Sequence, residues 1–277
     1  MVLAKHHREG GELLDAGVEE LVSLGLSRAL ADKAALMLSD PQEACPAPPG
    51  SVLLIPDDSA YPAEHLDPRL PLPVLLYASG NLRLFRRPGI AISGSRSAAE
   101  PAIELAARIA QLLADLGFNV VSGHAAGIDE MAHEAALRSG GTTTIVPAEG
   151  LLRFSLRRGL RDADEKSLLL VSGFNPASKW TVYQAIERNK WIAALSRAVV
   201  VVASDVRGGS WAQGMLCLEA DKTLMVPDFE EEIAHGNRRL IDHGAIPLDP
   251  RKPEFVLEEL VKRSKAGSSD DQTTLFG

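Results

Sequence analysis

From Gly89 to Leu248 the sequence alternates between short apolar runs, many of them ending at Gly or Ser, and segments with helical spacing. The strand-sized runs are residues 90–93, 119–122, 143–146, 168–171, 199–203 and 223–226, and helical stretches fall between them at 101–116, 128–139, 182–196 and 209–220. Runs apolar at successive positions suit strands covered on both faces, which is the condition of a parallel sheet. Parallel neighbours need a crossover, and the helical stretches supply it. Pro101 fits an early helical position, where its missing N–H is not needed. An α/β architecture follows, with a mostly parallel sheet and helices on both faces.

The segments before Gly89 are of another kind. Residues 11–38 place Leu13, Leu14, Val18, Leu21, Leu24 and Leu26 at helical spacing, broken at Gly17 and Gly25, and predict two or three short helices. Residues 41–50 hold four prolines and a glycine and read as a linker. Two apolar runs, 52–55 and 74–78, lead into the main domain. The expected organisation is a small N-terminal helical unit (1–45), an extended Rossmann-like domain (46–261) and a polar, frayed tail (262–277).

Composition narrows the function classes. The formal net charge is -8, but residues 1–60 carry 4 basic and 10 acidic side chains, which leaves 25 against 27 for the remainder. A nearly neutral main domain argues against nonspecific wrapping of nucleic acid and leaves room for a local basic groove. No apolar run approaches the roughly 20 residues needed to span a bilayer, so no membrane partner and a cytoplasmic location are expected. Two cysteines form neither a disulfide framework nor a zinc site, and Cys217, in an apolar helical stretch, reads as a small buried hydrophobe.

Three turns sit where predicted strands end. They are Ser93-Gly94-Ser95-Arg96, Ser122-Gly123-His124-Ala125-Ala126-Gly127-Ile128-Asp129 and Val206-Arg207-Gly208-Gly209-Ser210. In an open parallel sheet these ends form the ligand crevice, where helix N-termini present free amides to an anion. None of the turns is a dinucleotide fingerprint and no phosphate-binding loop of the ATPase type exists, so no cofactor is expected. Arg96 is the foremost phosphate ligand, because a guanidinium grips two oxygens in one plane. Arg83, Arg86 and Arg87 either widen that positive patch or are solvated surface.

A second basic group, Lys179, Arg188, Lys190 and Arg197, surrounds the helix predicted at 182–196, beside Trp180, Tyr183 and Trp191. Arg188, Asn189 and Lys190 either hold a backbone phosphate or rim the helix, while Trp191 is expected to pack on the sheet. His124 lies in the crevice turn and would gain a charge below about pH 6.5 if unperturbed. His133 is expected to pack or hydrogen-bond within its helix, and Asp129 to cap that helix or order the glycine turn. No metal site matches these spacings. Ser95 and Ser210 lack an assigned base and read as phosphate-binding hydroxyls, so no catalytic residue is expected. Asn237 either fixes the turn after Gly236 or reaches the crevice.

Taken in order, Tyr61-Pro62, Leu76-Tyr77-Ala78-Ser79-Gly80, Gly94-Ser95-Arg96, Ser122-Gly123-His124-Ala125-Ala126-Gly127-Ile128-Asp129 with Ala132-His133, Arg188-Asn189-Lys190-Trp191, Gly209-Ser210 and Gly236-Asn237 resemble the DNA-processing protein A (DprA/Smf) family over about residues 61–248. The resemblance implies an extended Rossmann core and a dimeric, non-catalytic protein. Such a protein holds single-stranded DNA and helps load a RecA-type recombinase during natural transformation. It places Ser95 and Arg96 in a phosphate-binding turn and Arg188 and Asn189 in a second basic element.

The departures from the family pattern are specific. Ala126 stands at a common arginine, Lys190 replaces another, Ser172-Gly173 replaces Ser-Glu, and Gly209-Ser210-Trp211-Ala212-Gln213-Gly214 lacks the usual Thr-Ala. No winged-helix domain is expected in the residues after Leu248. Ala126 predicts weakened DNA binding, partly offset by His124, and a gain in binding from pH 8 to pH 6. Two other readings remain at this level. One is a small-nucleotide sensor or N-glycosidic hydrolase, suggested by Gly208-Gly209-Ser210 and Glu219, and the other is a non-catalytic scaffold.

Overall fold

The computed structural model describes residues 17–23, 28, 31–32, 35, 46–63, 69–70, 72–230 and 233–255. Of the expected N-terminal helical unit, helix α1 (Val18–Ser23) and four further helical positions fall within these residues. The tail at 262–277 lies outside them.

The main body is one nine-stranded sheet in the order β1-β2-β6-β5-β4-β3-β7-β8-β9. Its strands are β1 (Val52–Leu54), β2 (Leu76–Gly80), β3 (Gly89–Gly94), β4 (Asn119–Ser122), β5 (Thr142–Ile145), β6 (Leu168–Ser172), β7 (Ala198–Ala203), β8 (Leu224–Pro227) and β9 (Ile246–Leu248). All pairings from β6 through to β9 are parallel. The antiparallel pairs, β1 with β2 and β2 with β6, lie at one edge and are made by the two early apolar runs. Strand β9 escapes a reading by apolar runs because it is three residues long and contains Pro247.

The apolar runs are two-sided, as expected. Along β7, Ala198, Val200 and Val202 face a core shared with Ile90, Ile92, Leu105, Ile109 and Ile128, while Val199 and Val201 face another with Trp191, Ile192, Cys217 and Leu240. Helices α2 (Glu100–Asp115) and α3 (Ile128–Arg138) cover the first face, and α4 (Val182–Ala194), α5 (Gly209–Glu219) and α6 (Asn237–Asp242) cover the second. Pro101 does sit in the first turn of α2. Burial pushes the Cys217 thiol up to about 12, so it serves as a core hydrophobe.

Asn237 belongs to this framework and not to the crevice. Its Oδ1 accepts the Ser204 N–H at 2.9 Å, and its Nδ2 donates to the Val202 and Pro227 carbonyls, each at 2.9 Å. The side chain is fully buried and bolts the ends of β7 and β8 to the start of α6. Asn237→Ala leaves three buried backbone groups without this partner and is expected to cost about 3 kcal/mol, read as a lowered urea midpoint. An unchanged midpoint would contradict the assignment.

Candidate nucleic-acid interface

The chain leaves β3 toward β4 and β5 on one side, and β7 and β8 lie on the other, so the strand order reverses between β3 and β7. Beyond the carboxyl ends of these two strands lies a cleft of about 430 Å³. The turn Gly94-Ser95-Arg96 forms one wall, and Gly208, Gly209 and Ser210 at the start of α5 form another. Helix α4 closes the third side with Val182, Ala185, Ile186, Arg188 and Asn189. A second hollow of about 470 Å³ continues over the ends of β4 and β5 and contains His124, Ala126 and Arg157. Arg96, Ala125, Trp180 and Arg188 line both, and the Arg96 guanidinium stands 5.4 Å from the centre of the Trp180 ring.

Arg188 lies beneath this partition with only 6% of its surface exposed. A side-chain carbon at Gly123 would fall 1.0 Å from its Nη1, so the guanidinium fills the space that any other residue there would need. Asp129 answers it at 3.9 Å and accepts the Gly123 and Ala125 N–H groups at 3.2 and 3.4 Å. Burial raises the pKa of Asp129 and lowers that of Arg188, and the attraction between the two opposes both shifts. Asp129 thus orders the glycine turn, one of the two roles expected for it. Gly127 ends that turn at φ 79 with the Ser95 carbonyl 2.8 Å from where a Cβ would be, and so lets the first two turns pack together.

His124 and His133 are both buried. His133 is fully buried, with Nδ1 2.6 Å from the Thr143 hydroxyl. His124, held at φ 59, accepts the Arg157 N–H on Nε2 at 3.2 Å and packs edge-on against Phe154. Burial first, then the nearby Arg157 and Arg188, push the His124 pKa down to about 4. It is therefore neutral from pH 8 to pH 6, which removes the expected gain in binding over that range.

The other sequence candidates separate into two groups. Gly94, Ser95, Arg96, Arg188, Asn189, Gly209 and Ser210 line the cleft, and Gly123, His124, Arg96 and Arg188 line its extension. Asn189 also donates to the Gly209 carbonyl at 3.1 Å and so ties α4 to α5. Trp191 packs on the sheet against Phe174, as expected. Lys190 turns away from the cleft and pairs with Glu187 at 2.8 Å, and Lys179 is exposed just before Trp180. Arg83, Arg86 and Arg87 precede the amino end of β3, whereas the cleft lies at its carboxyl end. At the amino end Arg87 donates to the Gly117 carbonyl and Arg86 to that of Ser59, while Arg83 and Arg86 line a separate hollow with Tyr61, so none of the three widens the patch. Asp228 and Glu230 face a separate hollow beside β9.

Two contributors escaped the motif reading. Arg157 lies in a stretch with Arg153, Arg158 and Arg161, a local basic excess that was legible in the sequence. Gln213 falls in the segment already seen to depart from the family pattern, while Ser93, which opens the first turn, lines the cleft with the rest of it.

Residues 52–260 match the family described as DNA recombination-mediator protein A. The chain belongs to this family. It is 32% identical over 192 residues to the DNA processing protein DprA of Streptococcus pneumoniae, covering 68% of this chain and 67% of that protein. The protein Smf of Synechocystis is 34% identical over 204 residues, and that match spans 69% of this chain but 50% of the longer relative. The solved structure of S. pneumoniae DprA superposes with a TM-score of 0.74 at 24% identity over 92% of this chain and 90% of that one. The structure of Helicobacter pylori DprA, reported for its single-stranded DNA binding mode, gives 0.64 at 23% identity over 76% and 96%. Within this family frame Ala126 is half-buried in the second hollow, at a position where it presents no donor. Among the described residues no helix is long and apolar enough to cross a membrane, and no cluster of three metal-ligating side chains occurs.

The neutral histidines couple acid to stability. An unfolded His124 titrates near 6.5 and the folded one near 4, so below pH 6.5 the unfolded chain takes up a proton that the folded chain refuses. Stability is full above pH 6.5 and is lost as pH falls toward 4, with His133 acting in the same direction. The His124 share is about 2 kcal/mol at pH 5. Urea midpoints at pH 7 and pH 5 should differ accordingly, and less so in His124→Asn, which tolerates the left-handed backbone. An equal difference in the variant would exclude His124 as a source.

Proposed function

We propose that this chain is a non-catalytic single-stranded DNA-binding protein of DNA uptake and recombination. The DNA backbone crosses the paired hollows at the carboxyl ends of β3, β4 and β7. The observation that carries the reading is the arrangement at the strand reversal. An exposed arginine on a glycine turn, a helix N-terminus with free amides and an exposed tryptophan share one open groove. Amides and guanidinium suit phosphate, and the indole gives a base a face to stack on. Family membership supports the same class of ligand. Action as a homodimer, and the handing of the strand to a RecA-type recombinase, belong to this proposal through the family. The chain matches only part of several relatives, so these whole-protein roles are tested separately from strand binding.

The deciding experiment is a fluorescence titration with single-stranded DNA, duplex DNA and mononucleotides at two salt concentrations. Binding that prefers the single strand and weakens with salt is expected, with each phosphate contact adding about 0.7 to the slope of log affinity on log salt. Arg96→Ala should lower affinity by about ten-fold for every base sequence and reduce the slope by about one contact, since a phosphate contact positions without reading. Wild-type affinity in a folded Arg96→Ala protein would remove that residue from the interface.

A second reading rests on the cleft's volume of about 430 Å³, which lies in the range of small-ligand pockets. Ala126→Arg separates the two. Adding a guanidinium to the second hollow should tighten binding of a strand long enough to cross both hollows. A gain for mononucleotides alone would favour the small-nucleotide pocket.

A further inference from the structure

At the opposite end of β3 from the crevice lies a hollow of about 720 Å³, bounded by the loop 56–63 and the 3-10 helix Leu82–Arg86. The loop is closed by its own hydrogen bonds. The Asp58 carboxylate accepts the Ile55 N–H at 2.8 Å, the Ile55 carbonyl accepts the Asp58 N–H at 2.9 Å, and the Asp58 carbonyl accepts the Tyr61 N–H at 2.8 Å. Pro56 and Pro62 restrict φ at two more positions, and the Tyr61 hydroxyl donates to the Pro73 carbonyl at 3.0 Å. A wall set in this way loses little freedom when something binds against it.

Two kinds of surface meet in the hollow. Pro56, Ala60, Pro62, Ala63, Leu82 and Phe85 are apolar, and Arg83 and Arg86 are exposed beside them. Positions three apart eclipse one another in a 3-10 helix, so the two arginine stems rise along one edge. Among the described residues neither guanidinium pairs with a carboxylate, and Arg86 spends one N–H on the Ser59 carbonyl at 3.3 Å. Asp58 is engaged by the Ile55 N–H, which leaves the exposed Asp57 as the free acid of the lining.

This combination suits neither a strand nor a lone phosphate. Tyr61 and Phe85 are only 9% and 7% exposed and give a base no face to stack on, and a continuous polyanion would meet Asp57. A phosphate gains nothing from the apolar wall. A peptide, in contrast, can set carboxylates against the arginines and an apolar side chain against the prolines.

We infer that the hollow at the amino end of β3 is a docking groove for an acidic peptide segment of a partner protein. Arg83 and Arg86 grip its carboxylates, and the apolar wall receives a large apolar side chain next to them. The inference goes beyond strand binding and does not rest on it. The two sites stand at opposite ends of β3, so the partner is held while the crevice stays open to its own ligand.

The test uses the full chain and labelled five-residue peptides in fluorescence anisotropy. The first peptide has three aspartates followed by leucine and phenylalanine. In the second, lysines replace the aspartates, and in the third, serines replace the apolar pair. Only the first should bind. Arg83→Ala should weaken it about five-fold without moving the melting curve, because that guanidinium holds nothing within the fold. Arg83→Glu combined with Arg86→Glu should transfer the preference to the lysine peptide, and Leu82→Ser should weaken both. Circular-dichroism melting checks each variant for folding, and Arg83→Ala keeps the test open if the double variant does not fold. Failure of the first peptide to bind, equal binding of the second or third, or unchanged affinity in folded Arg83→Ala would overturn the inference. So would competition by oligothymidylate, which would place the peptide in the crevice. Self-association lost in the double variant, with no peptide bound, would assign the hollow to a second copy of this chain instead.

Discussion

The buried Arg188 guanidinium is the piece around which the crevice is assembled. It occupies the volume vacated by the missing side chain of Gly123, and Asp129 supplies the opposite charge. Asp129 is also what fixes the amides of the turn from β4 into α3. One carboxylate therefore sets a backbone turn and an arginine on another helix together. Taking either charge away would leave the other buried and uncompensated, an error usually worth several kcal/mol. The contacts of Gly127 with the Ser95 and Arg96 carbonyls then pass this order on to the first turn. Three chain segments far apart in sequence are thus held in register by polar packing below the ligand surface, while the exposed groups above are free to engage it.

The sheet was legible because its signal is collective. Six parallel strands between β3 and β8 announce themselves as apolar runs with helical stretches between them, and each run is buried on both faces as that pattern requires. The short β9, with its proline, carries too little sequence to stand out. The crevice was legible for a related reason. Strand ends followed by glycine turns have only one place to go in a parallel sheet, so Gly94, Ser95, Arg96, Gly209 and Ser210 could be grouped before any side chain was placed.

What sequence could not supply is direction. Arg188 and Lys190 are two residues apart on one helix, which turns them roughly 200° from one another. One is driven under the cleft and the other out to Glu187. Basic clusters such as Arg83, Arg86 and Arg87 look alike in sequence whichever end of a strand they flank, yet these sit at the wrong end. Asn237 was readable as a turn former, but the three bonds that make it a bolt between strands come from residues up to 35 positions away. His124 shows the same limit for charge, since its neutrality comes from burial and two arginines that adjacent residues do not reveal.

The contact between Arg96 and Trp180 separates the two hollows. Both partners are solvent-exposed, and an exposed cation–aromatic contact contributes only about 0.5–1 kcal/mol, close to the energy of thermal motion. The two hollows already share Arg96, Ala125, Trp180 and Arg188, so the wall between them is made of side chains held by little beyond this one contact, and its shape is set by side-chain packing above a backbone that Asp129 and Gly127 fix from below.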